Sequence, residues 1–367
     1  MTTSPYYPGP GPAWQRREPS ELGLDAARIQ EAVRFHLAND SISIPYGVDV
    51  ETSIVSGRAN EPFNELIGPV RQREQSNGII IRHGYIAAEW GPVDRIDLTF
   101  SVAKSYLSTT AGLALDRGII RSVHDRVADY VQDGGFDSAH NSKITWHMLL
   151  NQTSQWEGTL WGKPDWCDRP EGPGLPHERK LAEPGTAFKY NDVRVNRLAL
   201  ALLRVWHRPL PQVLRQEVMD PIGASSTWQW HGYDNAWVVI DGVSVQSVSG
   251  GTHWGSGLWI SSLDHARLGY LCLRHGKWLD RQLLSEDWIR MARTPTPVNP
   301  TYGYMNWYLN TNQALLPAAP ASSFFHAGQG RNVIYVDYEH DLVAVVRWIE
   351  NESLPEFVRL LLAAVKD

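Results

Sequence analysis

Ser101 and Lys104 stand three residues apart in the run Thr99-Phe100-Ser101-Val102-Ala103-Lys104-Ser105-Tyr106-Leu107. Where such a run opens a helix, residues i and i+3 share a face with Cβ atoms about 5–6 Å apart, so the hydroxyl and the amine can meet. A serine hydroxyl becomes a nucleophile when a neighbouring base takes its proton, and a desolvated lysine is one such base. The N-terminus of a helix adds free backbone N–H groups and the positive dipole end, which favour an oxyanion formed after attack. With 26 serines and 7 lysines in 367 residues, chance alone supplies about 0.5 such pairs. The pair therefore carries meaning only in company.

Two later segments keep it company. Tyr190 lies in Lys189-Tyr190-Asn191-Asp192, just after a Pro184-Gly185-Thr186 turn and at the start of a helical pattern. A tyrosine hydroxyl beside a lysine ammonium has its phenolate favoured and can relay a proton between nucleophile and leaving group. Phe325-His326-Ala327-Gly328-Gln329-Gly330 closes a strand-like run with small residues. A glycine there lets a substrate lie along the strand edge, and the next backbone N–H can be a second oxyanion donor. His326 is placed to hold a substrate carboxylate or the Tyr190 hydroxyl; an isolated histidine is as readily a satisfied core residue.

Ser-x-x-Lys, then Tyr-x-Asn some 90 residues on, then Lys/His-x-Gly near the C-terminal strands resembles the ordered signature of class C β-lactamases and the related DD-peptidases, esterases and amidases. This chain carries Ser101-x-x-Lys104, Tyr190-x-Asp192 and His326-x-Gly328 in that order, 89 and 136 residues apart. The segments 250–258 and 264–269, Tyr302-Gly303-Tyr304 and Val336-Asp337 are also similar to that family. The resemblance implies an α+β fold, an antiparallel sheet flanked by N- and C-terminal helices with a mostly helical domain inserted. It implies Ser101 as acylated nucleophile, Lys104 as base with a lowered pKa, and Tyr190 as proton relay. The Ser101 and Gln329 N–H groups would form the oxyanion hole, with His326 and Gly328 on the substrate-facing strand. Asp192 departs from the family asparagine: a carboxylate only accepts, where an amide also donates to a substrate carbonyl. That points away from β-lactams and towards a substrate with a cationic amine. His326 in place of lysine leans the same way, as does an N-terminus without a charged region followed by an apolar core.

The expected activity is a serine hydrolase acting on a small carboxylic ester or amide, like family esterases and 6-aminohexanoate-dimer hydrolases. The alternatives are a β-lactamase or D-amino-acid peptidase, an acyltransferase using the same acyl-enzyme, and a non-catalytic binding protein. Composition is consistent with these. Hydrophobic residues make up 43% and charged residues 20% of the chain, which excludes global disorder. The net charge of −6, with no basic run, argues against nucleic acid and anionic membranes as partners. Cys167 and Cys272 are far apart, and the 13 histidines form no metal-binding motif, so no metal or cofactor is expected. The longest apolar runs are too short to span a membrane, and a cytoplasmic location is expected. Sixteen tryptophans suggest an aromatic-lined cleft, with Trp156, Trp161 and Trp254 among its candidates.

The elements that must position these groups follow from pattern. Residues 1–20 read as an irregular Pro/Gly-rich arm. Asp25 caps a helix over 26–38 whose stripe is Ile29, Ala32, Val33, His36 and Leu37. Asn77–Trp90 reads as a hairpin turning at His83-Gly84, and residues 40–75 give no clear pattern. A helix runs from Ser101 to about Arg117, stopped by Gly118; others cover 190–206, 208–222, 263–275 and 285–293. Residues 152–189 form a long Trp- and Pro-rich loop, expected to set selectivity with Asp168, Arg169, Glu178 and Arg179. Strands at 323–327, 332–338 and 342–348 precede a closing helix over 354–365. The unalternating Leu342–Val346 run indicates a strand covered on both faces. The expected division is a sheet domain from 1–98 and 262–367 and a helical domain over 99–261.

Overall fold

The computed structural model describes residues 5–170 and 180–366. Two helices open the chain, α1 (Ala26–Ala38) and α2 (Val50–Ser56), each begun by an aspartate whose carboxylate accepts from backbone N–H groups of the first turn. Such a cap is worth about 1 kcal/mol. Strands β1 (Asn77–Arg82) and β2 (Tyr85–Trp90) follow, with His83 and Gly84 both at positive φ in the turn between them. A two-residue turn of that kind matches the twist of paired strands. The middle of the chain holds helices α3 (Ala103–Asp116) and α4 (Asp192–Trp206), then α5 (Ser262–Leu273). Short β3 (Tyr308–Leu309), long β4 (Phe324–Gly328), β5 (Asn332–Asp337) and β6 (Leu342–Arg347), and helix α6 (Leu354–Ala363) end it.

The main sheet has six antiparallel strands in the order β3-β4-β5-β6-β1-β2. Both ends of the chain thus meet at its centre, where β1 pairs with β6. Every residue of β1 and β6 is buried, because the sheet is covered on both faces. Ile79, Ile81, Val343 and Val345 share a core with α5 and the helical region, whereas Ile80, Leu342, Ala344 and Val346 pack with α1 and α6. The N-terminal arm is irregular but well seated: Trp14 is buried and its indole N–H donates to the Gly84 carbonyl.

Two regions hold structure that local pattern did not reveal. Residues 40–75 contain α2 and pack through Ile44, Val50 and Ile54 against Leu98, Phe100 and Trp348. Within 228–262, Gly257–Ile260 is the central strand of a three-stranded sheet, paired with Asp97-Leu98 on one side and with Gln229–His231 on the other. These strands are two to four residues long, and such pieces form only because tertiary neighbours complete them. Residues 208–222 split into a short α-helix over Leu210–Leu214 and a π-helical turn over Arg215–Met219.

Candidate active site

The small sheet delivers the candidate nucleophile. Leu98 pairs with Trp259, and the Thr99 N–H donates to the Leu258 carbonyl at 3.2 Å. The chain then turns through Phe100, a buried phenylalanine at φ 47°. A bulky residue held in the left-handed region is strained and persists only where its surroundings impose it. Ser101 sits in the 3₁₀ turn Phe100–Val102 that feeds α3. One turn on, the Lys104 Nζ donates to the Ser101 Oγ at 2.9 Å, the i, i+3 contact that the spacing predicted.

Lys104 is fully buried and its Nζ also meets the Asp192 Oδ1 at 2.5 Å. Burial pulls the Lys104 pKa down, and the Asp192 carboxylate opposes that pull without cancelling it. Burial alone would raise the Asp192 pKa; Lys104, His253 and Arg169 hold its carboxyl well below the usual range. Asp192 is the first residue of α4, whose Asn191 cap accepts from the Arg194 N–H. A negative charge at that helix end is favoured.

The pair belongs to a larger buried network. Arg169 bridges Asp168 and the Asp192 Oδ2, the latter at 3.1 Å. The Asp168 carboxylate also accepts from the Asp192 N–H. The His253 Nδ1 lies 3.3 Å from the Asp192 Oδ2 and 3.5 Å from the Asp168 Oδ1, and its Nε2 meets the Glu61 Oε2 at 2.8 Å. The Nδ1 contacts are ion-pair distances without hydrogen-bond alignment, since the atom has no bonded partner. Glu61, Asp168 and His253 come close enough together to be weighed as a metal site. Glu61 and Asp168 face opposite nitrogens of the imidazole, and Arg169 already neutralises Asp168. A cation would have to displace that guanidinium, so the donor set does not fit a metal.

Tyr190 stands directly before α4, its ring between two cations, with the Lys104 Nζ 4.8 Å and the Arg169 guanidinium 4.9 Å from its centroid. Its hydroxyl interacts with Tyr308, and among the described residues it bonds neither Ser101 nor Lys104. Burial, reinforced by Tyr308 and Asp192, raises its pKa well above the ordinary value. This corrects the expectation of a favoured phenolate: burial outweighs the lowering by the Arg169 charge.

On the other wall, β4 runs against the nucleophile turn. A Cβ on Gly328 would lie 2.2 Å from the Thr99 carbonyl oxygen and 3.2 Å from the Ser101 nitrogen, so only glycine fits. Ser101, Gly328 and Gln329 then line one cavity of about 410 Å³ with Arg58, Phe100, Arg169, Tyr190, Asp192, Thr252, His253, Tyr308, Ala327, Arg331 and Asn351. Gly251 lies against the Lys104–Asp192 pair: a Cβ there would lie 2.9 Å from the Lys104 Nζ and 3.1 Å from the Asp192 Oδ1.

Four residues expected to line the site are placed elsewhere. His326 is fully buried on the inner side of β4, its Nδ1 3.2 Å from the Asn306 carbonyl and its ring edge-on to Trp307. Burial drops its pKa to about 4, against that carbonyl contact. It is a core histidine and lines no part of the cavity: Trp307 and Phe324 pack edge-on against its ring and the Asn306 carbonyl meets its Nδ1. Trp156 is buried and donates to the Gly135 carbonyl, and Trp161 gives its own carbonyl to Asn235. Trp254 is buried against His253 and Tyr233 under the Lys163 ammonium. No tryptophan lines the cavity among the described residues. The cleft is polar and charged, and the tryptophans serve the packing around it. Glu178 and Arg179 lie outside the described residues.

Asp192 is likewise not the free carboxylate that the expected cationic substrate requires, since Lys104 and Arg169 already occupy both of its oxygens. Residues that sequence reasoning did not single out include Arg58, Gly251, His253, Tyr308 and Arg331. Only the glycine- and histidine-bearing run 250–258 carried a signal, through its family-like pattern.

Comparison with known proteins agrees with this fold. The Beta-lactamase family model matches residues 94–360. No curated protein sequence matches the chain. Among solved structures, the chain is similar to a Bacillus anthracis protein assigned as a 6-aminohexanoate-dimer hydrolase, with 15% identity, 78% of each chain covered and a TM-score of 0.59. A beta-lactamase from Mycobacterium bovis gives 18% identity over 80% of this chain and 95% of its own, with a TM-score of 0.57. A family VIII carboxylesterase gives 17% identity over 80% of this chain and 92% of its own, with a TM-score of 0.56. At these identities the likeness is one of fold. No described helix is long and apolar enough to cross a membrane.

Proposed function

The chain belongs to the Beta-lactamase family, whose members include serine hydrolases, and on that footing we propose that it cleaves a small carboxylic ester or amide through an acyl-enzyme at Ser101. The observation that carries this is the Lys104 Nζ, fully buried and 2.9 Å from the Ser101 Oγ at the floor of the cavity. A neutral Lys104 amine has a lone pair for the serine proton and two N–H groups, one of them free to stay on Asp192. As the Oγ bonds to the substrate carbonyl carbon, Lys104 takes its proton. The carbonyl oxygen becomes an oxyanion facing the Ser101 and Gln329 N–H groups. Collapse expels the alcohol or amine, which takes a proton from the Lys104 ammonium or through the Tyr190 phenol. A raised pKa keeps the phenol protonated near neutrality, so it is present in its donor form rather than as a base. Water then attacks the acyl-enzyme with Lys104 again as base, freeing the carboxylic acid and Ser101.

Fluorophosphonate labelling and pre-steady-state kinetics with p-nitrophenyl acetate test this. The wild type should be labelled at Ser101 and release a burst of p-nitrophenol near one per chain. Ser101→Ala should lose both while keeping its melting temperature within a few degrees. Labelling that survives in Ser101→Ala, or a wild type that neither labels nor turns over, would overturn the proposal. Turnover of nitrocefin faster than that of the ester would move the substrate class to β-lactams.

A further inference from the structure

The positive charges around the cavity do not all have partners. Arg169 is matched by Asp168 and Asp192, Lys104 by Asp192, and Glu61 is taken up by His253. Two guanidiniums remain. Among the described residues Arg58 donates only to neutral acceptors, the Gln329 Oε1 at 2.8 Å and the Ile54 carbonyl at 3.4 Å. Arg331 has no hydrogen-bond or ion-pair partner among the described residues, and its Nε is buried without an acceptor. Both line the cavity that holds Ser101. A guanidinium has five N–H donors in a fork that fits a carboxylate, and leaving them unmet in a partly dry wall is costly.

Burial lowers the Arg58 pKa even though Asp192, Glu61 and Asp168 act to raise it, as expected where those carboxylates are already spent on other cations. Gln329 ties this end to the chemistry, because its side chain holds Arg58 while its backbone lies at the proposed oxyanion position. Arg58 follows α2, in a segment upstream of the 94–360 region that the family model matches.

We propose that Arg58 and Arg331 form a subsite for a carboxylate on the substrate, so that the preferred substrate is an anionic ester or amide whose free carboxylate lies a few bonds from the scissile carbonyl. This rests on the hydrolase assignment above and names its substrate class. It also replaces the cationic substrate expected from Asp192.

The test compares mono-p-nitrophenyl glutarate with p-nitrophenyl pentanoate, near-isosteres differing in the carboxylate, on the full chain. The wild type should prefer the glutarate in kcat/KM, and the preference should shrink as ionic strength rises. Arg331→Gln and Arg58→Gln should each lower the glutarate-to-pentanoate ratio about tenfold or more, since a charge-assisted contact is lost. Arg331→Lys should recover part of that ratio, which a purely structural role would not explain. Ratios that stay within about twofold in both variants, or a wild type preferring the neutral ester, overturn the subsite. Calorimetric titration of Ser101→Ala with the glutarate ester keeps the two proposals apart. Binding that disappears with Arg331→Gln supports the subsite even where Ser101 fails to label, and absence of binding overturns it even where Ser101 labels.

Discussion

Replacing Asp192 with asparagine should move the acid limb of the kcat/KM profile to lower pH. Lys104 acts as a base only when neutral, so activity rises with pH through its pKa. Burial lowers that pKa and the Asp192 carboxylate raises it; Asp192→Asn removes the opposing influence and leaves burial and the Arg169 charge. Two unit charges at the 2.5 Å contact would interact by about 7 kcal/mol at an effective dielectric of about 20. Arg169 shares the carboxylate and the new amide still accepts from Nζ, so a net effect of about 1.5–3 kcal/mol is the better figure, or roughly 1–2 pH units.

Stability should move as well. Arg169 loses one of its two carboxylate partners; because it is partly exposed and keeps Asp168, the cost should fall below the about 3–5 kcal/mol of breaking a fully buried pair. The Asp192 pKa is depressed in the fold, so its contribution is present above its ordinary value of 3.8 and is lost as pH falls through its lower folded value. Wild type should therefore lose more stability than Asp192→Asn below about pH 4. The assay is kcat/KM for a p-nitrophenyl ester across pH 5–10 on protein shown folded by circular dichroism, with Asp192→Glu as a charge-keeping control. An acid limb that stays within about 0.3 units of wild type, or moves upward, would refute the account of Lys104.

Two further substitutions probe the same machinery. Lys104→Ala should lower kcat by several orders of magnitude with a smaller change in KM, and retention of more than about a tenth of the activity would contradict its role as base. Gly328→Ala must push β4 away from the Thr99 carbonyl and Ser101 nitrogen that its Cβ would meet at 2.2 and 3.2 Å. It should cut kcat at least about tenfold, since a misplacement near 1 Å at a reacting centre can cost a factor of 100; an unchanged kcat would remove the β4 edge from the site.

Local chemistry was legible wherever a few adjacent residues set it. The Ser101–Lys104 contact follows from helical periodicity, the β1–β2 turn from His83-Gly84, and the doubly covered β6 from an apolar run without alternation. The Asp25 cap and the α3 stop near Gly118 are equally local. The small sheet of Asp97-Leu98, Gln229–His231 and Gly257–Ile260 was not legible, because strands so short have no pattern of their own.

What tertiary structure decided is where the charges go. Asp192 read as a substrate contact until the fold set it between Lys104 and Arg169. His326 read as part of the substrate strand's working face until its ring was found against Trp307. Tryptophan abundance suggested an aromatic cleft, yet the cavity wall carries three arginines, two tyrosines and the Asp192 carboxylate, brought from distant parts of the chain, and no tryptophan among the described residues. Periodicity reports only which neighbours along one element share a face. The partner of a charge, and hence its protonation and its freedom to meet a substrate, depends on distances across the fold that no local pattern encodes.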